Sequence, residues 1–231
     1  MSDYQSNPLF LHPLLHSTYK GILEKVTSKL PTGWTALLSS QGIHRTPNEQ
    51  MELFKKGREF KNGKWVVVAK SEVVTGKDGF ENKSRHNFLP ATAIDVILRR
   101  PDGSILSSGK EEKLIEAGAL LEKFEWGGSW TGFQDMPHIQ LPPDRLFKAN
   151  LELDEALQWQ KYLFHAGNLP NPSDLDGYFG KDSKTALQKT IGTTDCTPGA
   201  WAQLFQTYGP IEDMDDFKNF KWIPSVLPLK G

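Results

Sequence analysis

Cysteine is almost missing from this chain of 231 residues: Cys196 stands alone, which excludes an intrachain disulfide and a zinc knuckle built from thiolates. No run approaches the roughly 18 consecutive apolar residues that a membrane-spanning helix needs, and mean hydropathy is -0.48. Membrane insertion is therefore not expected. An excess of either charge is missing too. Lys and Arg number 27 against 28 Asp and Glu, a formal net charge of -1, and no basic stripe of the kind that follows nucleic-acid phosphates stands out, so nucleic acid is not an expected partner. Residues 1–10 lack the basic start and apolar centre of a secretory signal, which implies synthesis in the cytoplasm and action elsewhere after release or export. What is present, 38% hydrophobic and 11% aromatic residues, is the composition of a globular protein with one large domain or a medium and a small one.

Local patterns divide the chain. Leu14, Tyr19, Ile22, Leu23 and Val26 recur at helical spacing until Pro31-Thr32-Gly33 breaks the run. Residues 35–40 read as a strand. Thr46-Pro47-Asn48-Glu49 combines a capping Thr, Pro at the first helical position and Glu three residues after the cap, a helix start closed by Gly57. Strands are predicted at 65–69 and 92–98, a hairpin turn at Arg100-Pro101-Asp102-Gly103, and an amphipathic helix over 110–124 through Leu114, Ile115, Ala117, Leu120 and Leu121. A Gly- and Trp-rich loop over 126–141 ends in a strand. Pro142-Pro143 marks a boundary, and mostly helical sequence follows, beginning at 153–165. The prediction is two domains, 1–146 and 147–231, the first α+β with a mainly antiparallel sheet and flanking helices, the second a small helical unit.

Three polar clusters fall on loops and strand edges: Arg45; Ser84-Arg85-His86 with Asp95; and Asp135-Met136-Pro137-His138. Two His and one Asp make a three-ligand zinc set with the fourth position left for water; the same spacing also fits hydrogen-bonded surface pairs and a simple turn. On strand 92–98 the alternation places Ile94, Val96 and Leu98 on the core face and Asp95 on the other with Ala91, Ala93 and Ile97, the small residues leaving space beside Asp95 as the wall of a cleft would. Strands are depleted in Asp, which makes that one informative. His12 and His16, four apart on the first helix, read as packing or surface residues with no acidic third ligand near. His44 either lines the same cleft as Arg45 or packs. Trp126 and Trp130 serve equally as a wall for a sugar or stem peptide and as core residues. Ser84 has no base to activate it and reads as a loop hydrogen bond that orients His86.

Residues 1–143 resemble the zinc D-Ala-D-Ala carboxypeptidase and L-alanyl-D-glutamate endopeptidase family, to which many phage endolysins belong. The resemblance is carried by Gly42-Ile43-His44-Arg45-Thr46-Pro47, by Ser84-Arg85-His86-Asn87 through Ala93-Ile94-Asp95, by Trp126-Gly127-Gly128-Ser129-Trp130, and by Asp135-Met136-Pro137-His138. It implies Zn2+ held by His86, Asp95 and His138, Asp135 as general base, Arg45 polarising the scissile carbonyl, and Ser84, Trp126 and Trp130 toward the substrate, a peptide of peptidoglycan. One departure is visible: Phe88-Leu89-Pro90-Ala91 makes the link between the first His and the Asp longer than in the compact family motif. Residues 153–208 resemble the three-helix peptidoglycan-binding module, through Asp176-Gly177-Tyr178-Phe179-Gly180 and Thr197-Pro198-Gly199-Ala200-Trp201. The reaction so implied is hydrolysis of the L-alanyl-D-glutamate amide by a monomer, with D-Ala-D-Ala cleavage and non-catalytic wall binding as rivals.

Overall fold

A computed structural model describes residues 3–106 and 109–210. The tail at 211–231, expected to pack back across the molecule, lies outside the described residues. Helix α1, Pro13–Thr27, buries Leu15, Ile22 and Val26, one stripe at helical spacing. Four strands form an antiparallel sheet in the order β1-β4-β6-β5: β1 Thr35–Leu38, β4 Ala93–Arg99, β6 His138–Gln140 and β5 Glu125–Trp126. Helix α2, Pro47–Lys55, starts as expected: Thr46 accepts from the Glu49 N–H while the Glu49 carboxylate accepts from the Thr46 N–H. A separate hairpin joins β2, Arg58–Lys61, to β3, Lys64–Val67. Its first strand had no sequence signal, because a short charged ribbon with one partner carries no alternation.

The sheet's core face is the one the alternation gave. Ile94, Val96 and Leu98 are fully buried, while Asp95 looks out of the other face. The helix expected over 110–124 needs correction. It is a 3-10 stretch, Lys110–Ile115, followed by α3, Glu116–Glu122, and Leu120 and Leu121 are exposed at 67% and 47%. The buried face is Ile115, Gly118 and Ala119 instead, because α3 lies so close on α1 that a Cβ at Gly118 would sit 2.7 Å from Val26 Cγ2. Backbone proximity, not large apolar side chains, decided which face is buried.

Three further helices follow: α4 Leu151–His165, α5 Lys181–Ile191 and α6 Pro198–Tyr208. The Asp-Gly turn between α4 and α5 is held from inside by Gln160, whose Oε1 accepts from the Gly177 N–H at 2.9 Å and whose Nε2 donates to Asp176 Oδ1 at 2.9 Å. These helices share one apolar core with the first part of the chain, through Trp159, Tyr162 and Trp201. Polar contacts cross the same seam. Trp201 Nε1 donates to the Leu9 carbonyl at 2.8 Å, and Trp159 Nε1 to the Leu89 carbonyl at 2.8 Å. His12 packs, as one of the two expected alternatives, and caps its own helix through Nδ1; contrary to expectation an acid is near, Asp154 at 3.2 Å, which sequence distance concealed.

Glu155 on α4 accepts from the Leu89 N–H at 2.6 Å, and burial pushes its carboxyl up to about 7 from 4.5. A folded-state pKa above the unfolded one means the folded chain holds the proton longer. The contribution is intact below pH 4.5 and is lost as pH rises to 7. Glu155→Gln keeps an acceptor for Leu89 and removes the charge. It should match wild type at pH 4 and exceed it at pH 8, by roughly 3 kcal/mol at most, read from urea unfolding at the two values.

Candidate metal centre and cleft

Asp95 and His138 are direct cross-strand partners of β4 and β6, so their side chains leave the same face side by side. His86 arrives from a short 3-10 turn, Arg85–Asn87, fixed by its own capping box: the Ser84 N–H donates to Asn87 Oδ1 at 2.7 Å and Ser84 Oγ accepts from the His86 N–H at 3.4 Å. The three side chains meet. His86 Nε2 is 3.2 Å from Asp95 Oδ1, His138 Nδ1 is 3.1 Å from the same oxygen, and the two ring nitrogens are 3.2 Å apart. Among the described residues this is the one His, Asp, Glu or Cys group with the geometry to hold a metal.

The outer partners fix which nitrogens point inward. His86 Nδ1 lies 2.7 Å from the Ile43 carbonyl, an acceptor only, so Nδ1 carries the proton and Nε2 presents a lone pair. His138 Nε2 lies 3.0 Å from Gln140 Oε1, and the Gln140 amide is oriented by donating to Glu125 Oε2 at 2.5 Å. His138 therefore donates from Nε2 and turns the Nδ1 lone pair inward. Two imidazole lone pairs and a carboxylate oxygen converge with no hydrogen among them. Only a shared proton or a cation satisfies that arrangement, and two N and one O donors suit zinc. Burial drives His86 down to about 4, keeping it neutral and ready to bind. Asp95 is held well below the usual carboxylate range by His86 and Arg45 despite its burial. His138 is raised, burial being outweighed by Asp95. Gln140→Leu leaves the three donors in place and frees the ring of His138; cation affinity should fall by about 10- to 100-fold, measured by competition with a chromogenic chelator.

The centre sits in a cleft of about 660 Å³ whose walls include Arg45, Ser84, Trp130, Phe133 and Asp135. Asp135 is half-buried, and burial followed by the charge of Asp95 raises it to about 6. Its loop is pinned by the Asp135 N–H donating to the Gly127 carbonyl at 3.1 Å, and glycine is required there because a Cβ would come within 2.5 Å of the Asp135 carbonyl. Arg45 Nη2 donates to Asp95 Oδ2 and its Nε to the Gln41 carbonyl at 2.9 Å, which fixes the guanidinium against Asp95 in the wall of the cleft. Trp130 packs on His138 with centroids 5.2 Å apart. Trp126 lies beneath the cleft instead: it is buried and donates to the Met136 carbonyl at 2.8 Å, bracing the loop that carries Asp135. His44 is buried as well, 3.1 Å from the Phe88 carbonyl, and burial lowers its pKa. Sequence reading missed Gln140 and Glu125. Gln140 was accessible in principle, since position i+2 of a strand shares the face of His138.

The family model described as D-alanyl-D-alanine carboxypeptidase matches residues 78–141, a span that contains His86, Asp95, Asp135 and His138. The peptidoglycan L-alanyl-D-glutamate endopeptidase CwlK of Bacillus subtilis (strain 168) is 31% identical over 147 residues, covering 59% of this chain and 77% of the relative. With the antiparallel sheet and the convergent His-Asp-His donors, these likenesses show that the chain belongs to the family of peptidoglycan-hydrolysing zinc peptidases that takes in D-alanyl-D-alanine carboxypeptidases and L-alanyl-D-glutamate endopeptidases.

Proposed function

We propose that this chain is a monomeric endopeptidase of the peptidoglycan stem peptide, cleaving the amide between L-alanine and D-glutamate, with zinc held by His86 Nε2, Asp95 Oδ1 and His138 Nδ1. The observation that carries the reading is the convergence of those three donor atoms at 3.1 to 3.2 Å. The choice of bond is favoured by the relative, an L-alanyl-D-glutamate endopeptidase. A cation bound there supplies Lewis acidity and an acidified nucleophile at neutral pH.

The remaining chemistry belongs to the side chains. Asp135 takes the proton of the attacking water at its carboxylate and passes it to the leaving amine; its raised pKa of about 6 suits a group that must both accept and donate near neutrality. Arg45 keeps Asp95 oriented through Nη2 and offers its positive charge where negative charge develops on the scissile carbonyl. Ser84 holds His86 in place, Trp130 forms a wall for the peptide, and Trp126 supports that wall from below.

The segment at 147–231 serves as a wall-binding unit docked on the peptidase. The chain acts on the wall after leaving the compartment in which it is made. Mass analysis of fragments released from purified peptidoglycan tests the reading. New amino-terminal D-glutamate, abolished by a chelator and restored by zinc, is expected; release of terminal D-alanine alone would replace it with the carboxypeptidase reading.

A further inference from the structure

The cleft that holds the metal centre is cationic. Arg45, Lys56, Lys77, Lys83 and Arg85 line it against two carboxylates, Asp95 and Asp135. Asp95 is already engaged by Arg45 and the two imidazoles. Arg85 differs from Arg45. Its Nη1 is buried and has no hydrogen-bond partner, and no ion pair to it occurs among the described residues. Burial disfavours its charged form, with Glu125 and Asp154 acting the other way, yet a guanidinium stays protonated throughout the physiological range.

Nη1 is shut off from solvent and cannot meet a ligand, but Arg85 itself lines the cleft, and a carboxylate entering there lowers the cost of a half-buried cation that has no ion-pair partner among the described residues. Lys83 is the neighbouring cation on the same turn, its Nζ 5.1 Å above the ring of Phe88. The segment that delivers His86 thus brings two positive charges to the cleft beside it.

We propose that Arg85, with Lys83 beside it, seats a carboxylate of an acidic peptide substrate next to the scissile amide, so that substrate is selected by charge. The inference rests on the peptidase reading and adds to it. In the L-alanyl-D-glutamate amide, the carbon that bears the scissile nitrogen also bears the free α-carboxylate, because the chain continues through the γ-carboxyl. That α-carboxylate is the group assigned to Arg85. Peptides in which it is amidated, as isoglutamine, present a neutral group and leave the guanidinium unpaired.

The test uses the full zinc-loaded chain and two synthetic tripeptides that differ only at that position, L-Ala-γ-D-Glu-L-Lys and its D-isoglutamine counterpart, both acylated at the amino end. Wild type should cleave the acid with kcat/KM about 10- to 100-fold above the amide, the range of a hydrogen-bonded charge pair, with most of the difference in KM. In Arg85→Gln the acid-to-amide ratio should fall below about threefold. Arg85→Lys, which keeps a point charge without the planar fork, should fall between the two and also covers a failure of the Gln variant to fold. Equal cleavage of both peptides by wild type, or an unchanged ratio in folded, metal-loaded Arg85→Gln, overturns the carboxylate seat and leaves the peptidase reading standing. Cleavage of neither peptide by the zinc-loaded chain overturns both.

Discussion

His138→Ala should abolish cation binding and lower kcat/KM on stem peptide by about 10³- to 10⁴-fold, the several kcal/mol that a Lewis acid contributes at 1.36 kcal/mol per decade. The substitution removes the only donor on β6 and leaves His86 and Asp95 as a two-ligand site on one wall of the cleft. It should not unfold the protein. Asp95 keeps Arg45 as a charge partner, and the neighbouring Ile139, the fully buried residue of β6, is untouched. The expected signature is a near-native melting curve with metal content near zero. Activity that survives in the metal-free variant would mean that the amide is cleaved by other groups.

Asp135→Asn separates chemistry from metal binding. The cation should stay, since Asp135 is not one of the converging donors, while kcat falls by about 10²- to 10⁴-fold with the loss of a general base. The pH profile makes the assignment sharper. Burial and Asp95 set the Asp135 carboxyl at about 6, and a dication in the centre acts in the opposite direction, so the acid limb of kcat lies at or below pH 6. Activity falls as pH drops through that limb, because a protonated carboxyl cannot accept the water proton. Wild type should show the limb while metal content is still full, and Asp135→Asn should lack it. An unchanged limb in the Asn variant would assign the proton transfer elsewhere.

The sequence carried more of the site than of the contacts that hold it. The alternation around Asp95 was readable because one face of β4 is fully buried and the register of a half-buried strand has no freedom. The Thr46 capping box was readable because it is closed within four residues. The pairing that puts Asp95 opposite His138 was not, since strands so far apart in sequence leave no local trace of their register. The motif resemblance grouped His86, Asp95 and His138 but said nothing of that register.

Two other features were hidden for the same reason. The buried face of α3 depends on how closely α1 approaches Gly118, which reverses the inference from Leu120 and Leu121. The extended link Phe88-Leu89-Pro90-Ala91 looked like a departure from the family pattern. In the fold it is gripped at Leu89 by Glu155 and Trp159 of α4, so the helical part of the chain steadies the segment between His86 and Asp95. No composition boundary at Pro142-Pro143 could have shown that the two parts share a core.

X-ray absorption at the zinc edge, on protein reconstituted with one equivalent, reads whether His86, Asp95 and His138 hold a single ion. One tightly held ion per chain is expected, with a shell of light atoms only, two imidazoles and oxygen at about 2.0 to 2.2 Å, lost in His138→Ala. Sulfur scattering from Cys196, or the same shell in wild type and His138→Ala, would contradict that ligand set.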